Sequence, residues 1–86
     1  MPVLSKFYGI VIRMLCVRGL PARFHAIYEN EEIVVEIFPL RIVAGSAPTR
    51  VAELVLFWAR THQRELLDAW KSCRLSRPPL PIAPLN

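Results

Sequence analysis

A chain of 86 residues holds one small domain, which buries only about 60–65% of the surface its unfolded form exposes and folds with a margin on the order of 5 kcal/mol. Apolar residues make up 53% of the chain, high for so small a domain, which fits either apolar surface that meets a partner or an ordinary core with scattered exposed Leu and Val. The net charge is +4 and nine of the eleven basic residues are arginine, which favours a phosphate- or carboxylate-bearing partner, while no apolar stretch approaches the ~20 residues of a membrane-spanning helix.

Phe7 to Cys16 reads as a first strand, rich in β-branched and aromatic residues and free of proline. Both of its faces are mainly apolar, which predicts a central position. Arg18-Gly19-Leu20-Pro21 has turn chemistry. Arg23 to Glu29 reads as a second strand and Glu32 to Phe38 as a third, joined by a two-residue turn at Asn30-Glu31. That turn predicts Ile27 opposite Val34, Ala26 opposite Val35 and His25 opposite Glu36. It places Phe24, Ala26, Tyr28, Ile33, Val35 and Ile37 on one shared face. Arg41 to Gly45 is a candidate fourth strand.

Pro48 to Lys71 is predicted to form one long amphipathic helix, with Pro48 in its first turn and Ser46 as candidate cap. Val51, Val55, Trp58, His62, Leu66 and Ala69 fall on one stripe, and Glu53, Arg60, Arg64, Asp68 and Lys71 lie opposite. Phe57 sits among the charges as an exposed aromatic. The tail, residues 77–86, holds four of the eight prolines and is expected to be extended, with Leu80, Ile82 and Leu85 able to dock. The expected architecture is therefore α+β: a three- to four-stranded antiparallel sheet packed on one long C-terminal amphipathic helix. Residues 1–76 form the domain and residues 77–86 an extended Pro-rich tail.

Charge is unevenly spread. Residues 1–28 carry +4, residues 29–36 carry −4 and residues 37–86 carry +4. An acidic protein or a nucleic acid satisfies this pattern equally. Cys16 and Cys73 match no metal or redox spacing; they read first as buried or incidental thiols of a reducing compartment, with a disulfide as the alternative. The start, Met1-Pro2-Val3-Leu4-Ser5-Lys6, has no signal-peptide pattern, so the expectation is a cytoplasmic protein.

The chemistry-bearing residues are few. His25 opposite Glu36, with Arg13 and Arg23 on compatible faces, is the most suggestive group. A carboxylate orients an imidazole, and arginines hold a phosphate in a transition state, so His25, Glu36 and Arg13 are the candidate catalytic residues for phosphodiester cleavage. The same residues also suit a solvent-facing cross-strand ion pair of small energetic worth. His62 is either a functional base or ligand between helix and sheet, or a core histidine bonded to a backbone carbonyl or a tyrosine hydroxyl. Lys71, Arg74 and Arg77 line the helix end, where they complement its dipole or grip phosphates, with Trp70 alongside. Arg23, His62, Phe57, Lys71, Arg74 and Arg77 are thus the candidate binding residues. No metal or cofactor is expected, because no pair of His or Cys stands at a ligand interval and no glycine-rich phosphate loop is present.

Three blocks in this order, Ser5-Lys6-Phe7-Tyr8-Gly9-Ile10-Val11-Ile12-Arg13-Met14, Pro21-Ala22-Arg23-Phe24-His25-Ala26 and Trp58-Ala59-Arg60-Thr61-His62-Gln63-Arg64-Glu65-Leu66-Leu67 with Trp70, resemble the small prokaryotic family "domain of unknown function 4160". The family usually has a second histidine where this chain has Arg23. The resemblance implies one half of a compact two-gene module, similar to toxin–antitoxin operons, with a small acidic cognate protein as partner. Two main readings follow: a toxin-like component that binds that partner and acts on or binds RNA, and a non-catalytic interaction or regulatory domain. A second copy of the chain is a further candidate partner. DNA binding ranks last, because the exposed helix face mixes both signs of charge.

Overall fold

Tyr8 and Gly9 both take positive φ, 50° and 77°, the geometry that lets a two-residue loop follow the twist of its strands. They interrupt the predicted first strand, Phe7 to Cys16, near its start: β1 (Val3–Phe7) begins before it, β2 (Ile10–Arg13) holds its middle, and Met14 to Cys16 lie outside both strands. The computed structural model, which describes residues 2–86, continues with β3 (Arg23–Tyr28), β4 (Glu31–Ile37) and β5 (Leu40–Gly45). Met1, part of the start read for a signal peptide, lies outside the described residues. All neighbours are antiparallel and the order is β1-β2-β3-β4-β5, a simple meander. The α+β class stands, but the sheet has five strands, not three or four.

The β3–β4 register also differs from expectation. The turn falls on Glu29 and Asn30, with Glu29 at φ 52°, rather than on Asn30-Glu31. Phe24 pairs with Val35, His25 with Val34 and Arg23 with Glu36. This is a slip of two residues. Side chains alternate with period two, so an even slip leaves every residue on its expected face while changing its opposite number. Phe24, Ala26, Ile33, Val35 and Ile37 accordingly are all buried on the shared face.

Strand β5 ends at Gly45, which pairs with Ile33 and whose φ is 81°. A Cβ at this position would lie 2.0 Å from the Glu32 carbonyl oxygen, so only glycine fits. Helix α1 (Thr49–Thr61) follows, then α2 (Gln63–Arg74). The predicted single helix is broken at His62, where φ is −111° and ψ 23°. Two side chains account for the break. The Thr61 hydroxyl donates to the Phe57 carbonyl at 3.2 Å, a back-bond that bends helices. Gln63 Nε2 donates to the Ile37 carbonyl at 2.7 Å and ties the first turn of α2 to the end of β4. Ser46 does not cap α1; the cap position is Pro48 and no side chain bonds there.

Both helices cover the same face of the sheet. Trp58 is fully buried at the centre, with ring centroids 5.3 Å from Phe7 and 5.9 Å from Phe24. Such aromatic pairs add about 0.5–1.5 kcal/mol each beyond the area they bury. Its indole N–H donates to the Ala83 carbonyl at 2.9 Å. The tail therefore lies across α1 and β1, where the Ile82 amide donates to the Leu4 carbonyl at 2.8 Å and the Ile82 side chain is buried. Leu85 is partly buried, while Leu80 is exposed. Cys16, after β2, and Cys73, in the last turn of α2, form a disulfide with Cα atoms 6.0 Å apart, in place of the expected thiols.

Candidate functional site

The helices leave the other face of the sheet bare. Alternation sends Lys6, Val11, Arg13, Arg23, His25, Ile27, Glu32, Val34, Glu36 and Arg41 to that side. Cross-strand pairing sorts them into rows. Arg13, His25 and Val34 form one row; Arg23, Glu36 and Arg41 form the next; Val11, Ile27 and Glu32 form a third. The result is a half-buried apolar strip of Val11, Ile27 and Val34 beside a row of cations. Counting Lys6 and the three arginines against Glu32 and Glu36, the face carries a net positive charge with His25 neutral.

Glu36 is the electrostatic centre. Its carboxylate is almost wholly buried and accepts from Arg41 Nε at 2.9 Å, while Arg23 Nη2 lies 3.6 Å away. Arg23 is further held by its Nε, which donates to the Pro21 carbonyl at 3.2 Å. Two guanidinium groups share one carboxylate, so the cluster stays cationic. This overturns the expected His25–Glu36 pair. His25 instead donates from Nδ1 to Glu32 Oε2 at 2.8 Å, a diagonal contact that the two-residue slip creates. Arg13 stands beside His25 as its cross-strand neighbour on β2 and has interactions of its own. Of the three candidate catalytic residues, the fold thus brings Arg13 and His25 together and gives Glu36 to arginines. Glu32 is the residue that sequence reasoning missed; the slipped register was the only signal that could have found it.

The candidate binding residues are dispersed. Arg23 belongs to the bare face. His62 sits on the opposite side, at the junction of α1 and α2, with its ring centroid 5.4 Å from Trp58 and Nδ1 donating to Glu65 Oε1 at 2.6 Å. Its partner is thus a carboxylate three residues on, not the carbonyl or tyrosine hydroxyl expected of a core histidine. Phe57 is exposed and lines a shallow concavity with Arg50, Glu53, Leu54 and Arg60. Arg74 lines a hollow of about 500 Å³ beside Cys16, Arg18 and Trp70. Lys71 and Arg77 are exposed near that end of α2. These groups do not converge on the bare sheet face. Among the described residues, no three His, Cys, Asp or Glu side chains gather as metal ligands would, and no helix is long and apolar enough to cross a membrane.

What this face can do follows from its composition. It is broad and cationic, with an apolar strip, and His25 lines none of the hollows described. It carries no Phe, Tyr or Trp at any of its strand positions, whereas sheet surfaces that hold single-stranded nucleic acid stack bases on aromatics. Cations around an apolar strip suit an acidic protein surface.

A family model described as "Domain of unknown function (DUF4160)" matches residues 9–71. No curated protein and no solved structure matches the chain.

Proposed function

The chain belongs to the DUF4160 family, and from that premise we propose that it is a protein-binding component of a two-gene module of toxin–antitoxin type, docking a small acidic cognate protein on its bare sheet face. The observation that carries this reading is the row Arg23–Glu36–Arg41 next to the strip of Val11, Ile27 and Val34. The buried Glu36 carboxylate anchors the two arginines, and the exposed Arg41 keeps donors free for a partner carboxylate. The test is co-expression with the product of the adjacent gene, followed by co-purification at rising salt. A complex that weakens as salt rises supports the reading, because its cations would be screened. A chain that purifies alone at low salt refutes it.

One observation favours a second reading, action on RNA. His25 is oriented by Glu32 and flanked by Arg13, the parts needed to move a proton and steady a phosphodiester. Incubation with RNA, comparing the native chain with His25→Ala and Arg13→Ala, decides this. Intact RNA, or cleavage unchanged in both variants, removes it.

A further inference from the structure

Strand β5 is the free edge of the sheet. Among the described residues it pairs only with β4, and no hydrogen bond from a loop or from the tail backbone reaches residues 40–45. The opposite edge is treated differently. There the tail lies against β1, joined by the Ile82–Leu4 hydrogen bond, with Ile82 buried. One edge of this sheet already holds an extended apolar segment, and the other holds none.

Exposed edges are usually blunted by lysine, proline or a bulge. Strand β5 has neither lysine nor proline; its edge devices are the bulge around Val43 and the single charge of Arg41. Ile42 and Val43 are 37% and 38% exposed, and Phe38, just before the strand, is 75% exposed. Residues 37–52 contain Arg41 and Arg50 and no acid. The Arg41 side chain remains 64% exposed even while it holds Glu36.

We propose that β5 receives an extended segment of the partner protein as a sixth strand, one that alternates acidic and apolar residues. This rests on the acidic-partner reading above and names its mode of docking. In strand addition the main chain supplies hydrogen bonds and alternate side chains supply selectivity. A carboxylate across from Arg41 on the bare face meets a guanidinium within cross-strand range. An apolar residue across from Ile42 lies on the helix side, where α1 packs over β5. The bulge at Val43 admits few registers and so limits indiscriminate pairing. A second copy of β5 fits less well, since that strand brings an arginine and no carboxylate.

The test uses the full, isotope-labelled chain and a synthetic ten-residue peptide alternating Glu and Val, with a Lys–Val peptide as control. Amide shifts and hydrogen exchange are followed by NMR. The Glu–Val peptide is expected to give its largest shifts at residues 40–45 and to slow exchange in β5 at least tenfold. The Lys–Val peptide is expected to do neither. Ile42→Lys and Val43→Lys should each abolish the response while leaving the rest of the spectrum in place, and Leu80→Ser, in the exposed tail, should retain it. Shifts centred on Arg13, His25 and Arg23 with β5 unchanged overturn the edge proposal and leave the acidic-partner reading standing. Equal responses to both peptides, no response to either, or protection of β5 that grows with protein concentration alone also overturn it.

Discussion

Breaking the Cys16–Cys73 bond should be the most damaging small change to this domain. The two residues are 57 positions apart in sequence, so the bond closes most of the chain into a loop. Chain-entropy reasoning gives ~14 cal/mol/K for a loop of this size, or ~4 kcal/mol at 25 °C. For 86 residues, an unfolding entropy near 2.1 cal/mol/K per residue converts that to a fall in Tm of about 20 °C. The loss is comparable to the whole stability margin of so small a domain. Both cysteines are only partly buried, so replacing them by serine sacrifices little packing. Circular dichroism melts of the oxidised chain, the reduced chain and the Cys16→Ser/Cys73→Ser double variant make the comparison. Reduction and double substitution should give the same large drop. A drop under about 5 °C in both would refute the reasoning, and with it the contact that holds the segment after β2 against the end of α2.

Four smaller changes probe the sheet and the docked tail. Glu36→Gln leaves Arg23 and Arg41 without their buried carboxylate and should cost about 2–3 kcal/mol in urea unfolding, whereas Glu32→Gln, at a half-exposed position, should stay within about 0.5 kcal/mol. Equal effects of the two would contradict the register. Gly45→Ala sets a Cβ against the Glu32 carbonyl at a positive φ and should cost at least about 2 kcal/mol by the same assay. Trp58→Phe removes the hydrogen bond to the Ala83 carbonyl and should speed hydrogen exchange at the Ile82 amide; exchange unchanged at that amide would mean that the tail docks without the indole.

The inward face of the sheet was legible from sequence because parity alone decides it. Phe24, Ala26, Ile33, Val35 and Ile37 keep their face under any even slip of register. The partners of His25 and Glu36 were not legible, because they depend on which residues make the turn. Glu29 takes the positive φ that Asn30 was expected to need. Tyr8-Gly9 hid a turn inside an apolar run, since only one of its two residues is a usual turn former. The break at His62 carries no proline or glycine; its causes are the Thr61 back-bond and the reach of Gln63 to Ile37, a contact between residues 26 positions apart. The disulfide likewise joins distant segments, and no local spacing announces it.

The proposed role turns on whether a cationic, apolar-striped sheet face finds an acidic protein. The most direct measurement is size-exclusion chromatography with light scattering on this chain co-expressed with the product of its adjacent gene, at low and at high salt. The account predicts a discrete complex at low salt that dissociates as salt rises and that is weakened by Arg41→Ala. A chain that elutes alone and monomeric at low salt would contradict it.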